Sequence, residues 1–178
     1  MRRGTRIWVA ALAGIAAVVA GAPTAAAGDP RGVRVTGSAS GRLDALGEYW
    51  KGHQVRFTVD GRFSGEGQPS GRFHVDHRTP GGGPFAEFEG RVDCVLASDG
   101  QGVVTGVIER AETPGLPPEA NLVGRRVGIS VADRPGRDKL GWSWIAGGFD
   151  KDTLPCTSAP PFLNVDSGGY RVTGSSIG

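Results

Sequence analysis

The sequence predicts an all-β fold, a single antiparallel β-sandwich or jelly-roll-like barrel of about eight strands preceded by a cleaved signal peptide. Three observations predict it. Apolar residues alternate with period two in segment after segment, the pattern of half-buried strands. Gly-, Pro- and Asp-Gly-rich turns interrupt these segments at short intervals, which favours a sandwich or barrel over βαβ units. Beyond the leader no segment sustains i, i+3, i+4 apolar spacing for three turns, and the 31 glycines and 12 prolines of the chain work against helices.

The strands follow in order over Val33–Gly174. After an opening VRVTG segment, Gln54–Asp60 places Val55, Phe57 and Val59 on one face, with Arg56, Thr58 and Asp60 on the other. Gly71–Asp76 repeats this with Phe73 and Val75 inward. Ala86–Leu96 puts Ala86, Phe88, Gly90, Val92, Cys94 and Leu96 on one face, opposite Glu87, Glu89, Arg91 and Asp93. Ser98-Asp99-Gly100 then breaks the run before Val103–Glu109, and Asp-Gly between two patterned segments is a strong hairpin signal. Arg125–Ala132 carries Val127, Ile129 and Val131 inward, Pro135-Gly136 marks a turn, and Lys139–Ile145 aligns Leu140, Trp142 and Trp144 as core. Thr113–Leu122, with three prolines, reads as an irregular crossover, and Ala146–Val165 as a long loop. The two ends resemble each other: VRVTGSASG at 33–41 and YRVTGSSIG at 170–178 read as two similar edge strands meeting near the termini.

Residues 1–27 have the form of a secretory signal peptide. Arg2, Arg3 and Arg6 precede an apolar run, Ile7–Ala20, and Ala25-Ala26-Ala27 supplies small residues for cleavage. The run is too short for a bilayer core, which needs about 20 apolar residues. No Cys near the cut marks a lipid anchor, and Arg2-Arg3 alone falls short of a twin-arginine motif. The expectation is a secreted, extracellular product comprising residues 28–178. Export also changes the charge. The leader holds three of the 20 basic side chains and no acid, leaving 17 against 18 acidic, a formal charge of −1. The basic stripe expected of a nucleic-acid binder is therefore missing, and no membrane association is expected after cleavage. The two cysteines, Cys94 and Cys156, belong to no CxxC pair and read as one disulfide in an oxidising compartment.

Candidate chemistry is sparse. His74-Val75-Asp76-His77 is the polar cluster of most interest. His74 and Asp76 share a strand face about 6.6 Å apart at ~3.3 Å per residue, and could share a metal or act as an acid–base pair. A catalytic zinc needs a third protein ligand, which would come from His53 or another strand. His77 falls on the opposite face if the strand continues. The plainer reading is a solvated strand end before the Thr79–Pro84 turn. Glu87 and Glu89 have roughly the spacing of paired glycosidase carboxylates, but beside Arg91 and Asp93 they read as a salt-bridged outer face. Asp150-Lys151-Asp152-Thr153 offers loop carboxylates short of a defined calcium motif. No GxSxG, P-loop or dinucleotide fingerprint is present. Trp50, in the polar loop around Tyr49-Trp50, is the better aromatic binding candidate, because a displayed ring can stack on a sugar or fill a partner's pocket; it could equally cap the core.

The succession VTG, VRFTVDG, GRFHVDHRTPGG, FAEFEGRVDCVLASDGQGVVTGVIE, VGRRVGISVADRPGRDKLGWSW and GGYRVTG resembles a group of small exported proteins of high-GC Gram-positive bacteria. These are often described as hypothetical secreted proteins or labelled "repetin". The resemblance covers nearly all of residues 28–178 and implies an extracellular β-domain with no assigned activity. It implies no calcium-binding helix-loop-helix, since the chain lacks a D-x-[DN]-x-[DN]-G loop ending in Glu.

The function expected is an extracellular, non-catalytic binding or structural module, with cell-wall polysaccharide or an extracellular protein as partner and no cofactor. Two alternatives stand beside it. One is a secreted hydrolase or metal-dependent enzyme using His74, Asp76 and His77. The other is a lipocalin-like carrier of an apolar small molecule.

Overall fold

The computed structural model describes residues 32–149 and 151–176. The signal peptide expected at 1–27 lies outside the described residues, as does Asp150 of the loop-carboxylate candidate. The strands are β1 Val33–Arg42, β2 Gln54–Phe63, β3 Ser70–Arg78, β4 Pro84–Ser98, β5 Gln101–Glu112, β6 Arg126–Ala132, β7 Lys139–Trp142, β8 Leu163–Asn164 and β9 Ser167–Thr173. They form one all-antiparallel sheet in the order β8-β7-β6-β5-β4-β3-β2-β1-β9. The domain is all-β, and of the arrangements expected it takes the barrel-like one, built as an up-and-down meander.

Chain geometry requires the sheet to curl. In a flat sheet β8 and β9 would lie about 38 Å apart at ~4.8 Å per strand. Yet only Val165 and Asp166 separate them, a link that reaches at most about 11 Å. The two ends of the sheet are therefore brought together. Asp166 N–H donates to Ser40 O at 2.8 Å, and Val165 N–H donates to Asp138 O at 3.1 Å. At this seam the free edge of β9 meets carboxylates from the β6–β7 turn instead of another backbone ladder. Tyr170 N–H donates to Asp138 Oδ2 at 2.7 Å, and Val172 N–H donates to Asp133 Oδ2 at 3.1 Å. An edge satisfied in this way is no template for a second chain.

The inner face carries the predicted alternation. Val55, Phe57 and Val59 of β2, Phe73 and Val75 of β3, and Val127, Ile129 and Val131 of β6 are all buried in one core. The similar terminal segments pair directly, Val35 with Val172 and Gly37 with Tyr170, and the buried Tyr170 hydroxyl donates to Phe57 O at 3.0 Å. Of these two strands β1 is consequently internal and β9 alone lies at an edge of the sheet. The Asp99-Gly100 hairpin forms as expected, with φ of 49° and 72° at its two central residues.

Three sequence expectations are corrected. β4 and β5 shift register between Val92 and Cys94, so the phase of β4 reverses there. Val95 and Ala97 turn inward, while Leu96, expected in the core, is 40% exposed. Cys94 is buried but pairs with Thr105 on the outer face, under the connection from β7 to β8 rather than inside the barrel. The Cys94–Cys156 disulfide is formed, with Cα atoms 5.3 Å apart. It pins that connection across β5, β6 and β7. Ser130 Oγ donates to Ala159 O, and Cys156 N–H donates to Thr105 Oγ1 at 3.1 Å. Gly128 and Gly141 lie beneath it, and a Cβ at either position would meet the carbonyl oxygen of Thr157 or Pro160. Finally, β7 ends at Trp142, and Trp144 opens a single helical turn, Trp144–Gly147, instead of extending the strand.

Candidate functional site

At one end of the curled sheet the inner face is not filled. The starts of β2, β4 and β6 and the ends of β3 and β7 meet there, and two loops fold over them. The first, Leu43–His53, contains two short 3-10 turns, Asp44–Leu46 and Glu48–Trp50. It is pinned by Gly52 N–H donating to Asp44 Oδ1 at 2.6 Å and by Leu43 N–H donating to His53 O at 3.0 Å. The Arg42 guanidinium, with Gly52 N–H, holds the Asp44 carboxyl below the usual carboxylate range. The second is the turn Trp144–Phe149 after β7.

Between these loops and the sheet lies a cavity of about 290 Å³. Its walls are largely aromatic: Trp50, Phe57, Phe88, Trp142, Trp144 and Phe149, with His77 among them. Phe57 stacks on Trp142 with ring centroids 5.2 Å apart, and Trp144 packs against Phe88 at 5.6 Å and Phe149 at 5.1 Å. Among the described residues no Asp, Glu, Lys or Arg lines the cavity.

The candidate residues divide between two faces of the sheet. His77 continues the inward phase of Phe73 and Val75 because β3 runs on to Arg78, and it is only 7% exposed. Its Nε2 is 2.9 Å from His53 Nδ1, so one ring donates to the other. Trp50 and Phe85 enclose the pair, their ring centroids 5.5 Å and 4.3 Å from that of His77. Burial first, and the neighbouring His53 second, push the His77 imidazole down to about 4. Trp50 is thus both a cap on the core and part of the cavity wall.

His74 and Asp76 point outward. His74 Nε2 lies 2.9 Å from Glu87 Oε1, and Arg78 Nε lies 2.6 Å from Asp76 Oδ1. Glu89 pairs with Arg110 at 3.2 Å, so Glu87 and Glu89 belong to the salt-bridged outer face. Asp152 accepts from Arg126 N–H at 3.0 Å and acts as a loop anchor. The sheet therefore brings Trp50 and His77 together and sends His74 and Asp76 to the other side. No group of His, Cys, Asp and Glu among the described residues is placed to hold a metal ion.

Sequence reasoning missed Phe85 and the direct His53–His77 contact; Trp142 and Trp144, read as core, do pack in or against it and also line the cavity. The phase reading that sends His77 to the face opposite His74 holds, because β3 continues to Arg78; the partner across from it on the loop before β2 left no local signal. Comparison with protein-family models, with curated proteins and with solved structures finds no match to this chain.

Proposed function

We propose that this domain is an extracellular, non-catalytic binding module whose ligand site is the aromatic cavity, taking an apolar small molecule as a barrel carrier does. One observation carries the reading: the cavity of about 290 Å³ between the loops and the sheet. Protein interiors pack to crystal-like density and leave few voids larger than a water molecule. An apolar cavity of ~150 Å³ accepts benzene, and small-ligand sites begin near ~300 Å³, so this one suits a two-ring aromatic or a short isoprenoid segment. Large rings around a small number of polar groups are the usual composition of such sites.

The leader and the disulfide support an exported protein. Among the described residues no helix is long and apolar enough to cross a membrane. A polysaccharide or protein partner is favoured by one feature, Tyr49, which is 71% exposed and packs edge-on against Trp50 with centroids 4.7 Å apart. The enzyme alternative has no such support, because His74 and Asp76 lie on the face opposite His77, His74 hydrogen-bonded to Glu87 and Asp76 paired with Arg78.

The test is native mass spectrometry of protein purified from culture medium, followed by titration with the neutral fluorophore N-phenyl-1-naphthylamine. A co-purifying small molecule, or saturable one-to-one binding that quenches tryptophan emission, is the expected result. A protein that carries nothing and shows no saturable binding ends the reading.

A further inference from the structure

Most of the cavity wall is closed to solvent. Leu43, Phe57, Val75, His77, Phe88 and Trp144 of its lining are all buried, so a two-ring molecule reaches them only if part of the wall moves aside. Enclosed sites of this kind open by hinged loops. How each of the two loops is attached decides which one moves.

The Trp144–Phe149 turn is rooted in the sheet. Ser143 N–H donates to Gly128 O at 2.9 Å, and Gly128 N–H donates to Ser143 Oγ at 3.0 Å. The Trp144 ring is buried, with Phe88 and Phe149 packed against it. Residues 44–52 of the other loop are attached differently. Their hydrogen bonds and ion pairs run within the segment or to Arg42, Leu43 and His53 at its base. Leu46 N–H donates to Leu43 O at 2.8 Å, and His53 N–H donates to Trp50 O at 3.0 Å. The bond from Gly52 N–H to Asp44 Oδ1 clasps the two ends of the segment together. Among the described residues no hydrogen bond or ion pair joins 44–52 to β3, β4, β6 or β7.

Apolar contact holds the segment over the cavity. Leu46 forms part of the wall, and the Trp50 ring lies against His53, His77 and Phe85 with centroids 5.4, 5.5 and 5.7 Å away. Lifting the segment breaks that contact and no hydrogen bond to the sheet beneath, the condition for a local opening of low cost. Gly52, with φ of 78°, stands at one end, where a residue without Cβ absorbs a change of backbone angle.

We infer that Asp44–Gly52 is the lid of the cavity: it swings as a unit about Leu43 and His53, and a ligand enters and leaves while Trp50 is lifted off the His53–His77 pair. This rests on the cavity being the ligand site. His53 stays tied to His77 throughout, so the pair is the seat on which Trp50 closes.

Nitrogen-15 relaxation dispersion on the unaltered protein, with and without saturating N-phenyl-1-naphthylamine, tests this. In the free protein the amides of 44–52 should exchange at one common μs–ms rate with a minor state of roughly 1–10%, while Trp144–Phe149 and the strands stay flat. The bound probe should quench that exchange. In stopped-flow mixing, the association rate should level off with rising probe concentration at the opening rate that the dispersion gives. Flat dispersion at 44–52, exchange confined to Trp144–Phe149, or an association rate that keeps rising in proportion to concentration overturns the lid and leaves the cavity a ligand site. Absence of any probe binding overturns the cavity reading itself, and the lid with it.

Discussion

His77 Nε2 sits 2.9 Å from Nδ1 of His53, and the two rings, 7% and 8% exposed, form a buried hydrogen-bonded pair of which His77 lines the aromatic cavity. They come from the loop before β2 and the end of β3, and Trp50 and Phe85 close around them. The pair ties the Leu43–His53 loop to the sheet through a hydrogen bond to His77, whose imidazole burial keeps from readily taking up charge.

Acid should therefore weaken the fold through His77. Its folded-state value of about 4 lies below the ordinary 6.5, so between these pH values the unfolded chain binds more protons. The contribution is fully present above about pH 6.5 and is lost as the pH falls toward 4. Allowing for water at the cavity mouth, it amounts to about 2 kcal/mol. Urea unfolding at pH 7.5, 5.5 and 4.5 measures it. His77→Gln should show a pH dependence shallower by that amount, and an unchanged slope would show that the pair does not control acid sensitivity.

Removing the disulfide should cost stability without abolishing the sheet. Cys94 and Cys156 are 62 residues apart, for which chain entropy predicts about 4 kcal/mol. The Cys94→Ala, Cys156→Ala double variant should keep a β-type far-ultraviolet spectrum, melt at lower temperature, and exchange the Cys156-region amides faster. Mass spectrometry of the unreduced native protein should show the two cysteines linked.

At the seam, Asp138→Ala should loosen β9. This carboxylate accepts from Tyr170 N–H and from Arg134 N–H at 3.1 Å, and losing charge-assisted bonds of this kind costs about 2 kcal/mol. Hydrogen exchange at Tyr170 should accelerate selectively. The bared edge should also raise self-association, measurable by sedimentation.

Gly128→Val should displace the connection that carries Cys156. A Cβ at this position meets Thr157 O, and the backbone there cannot yield without moving the disulfide. A loss of about 1–3 kcal/mol is expected, together with faster reduction of the Cys94–Cys156 bond by dithiothreitol. Unaltered reduction kinetics would mean that the connection does not rest on this glycine.

Much of the sheet was legible because its signals are local. Period-two alternation in Gln54–Asp60 and Gly71–Asp76 registers burial on one face, and Asp99-Gly100 registers a backbone that must turn with positive φ. The reversal of phase after Val92 was not legible. It depends on the pairing of Cys94 with Thr105 and on Asp93, which accepts from Thr105 Oγ1 at 2.6 Å and from Arg126 Nε at 2.7 Å, partners 12 and 33 residues away. The candidate site was legible only in part. Trp50 and His77 were identified as candidates, while their separation from His74 and Asp76 followed from how far β3 extends.

By itself the sequence determined the all-β class, the inward and outward faces of most strands, the single cysteine pairing and the hairpin turns. Each follows from residue spacing that a short segment carries whole. Tertiary structure alone decided that one sheet curls until β8 and β9 meet, that Cys94 faces a covering loop, and that Trp142 and Trp144, packed in the core, also line a cavity. Those outcomes depend on twist accumulated over nine strands and on bonds such as Tyr170 N–H to Asp138, which span 32 residues. No local pattern of residues encodes them.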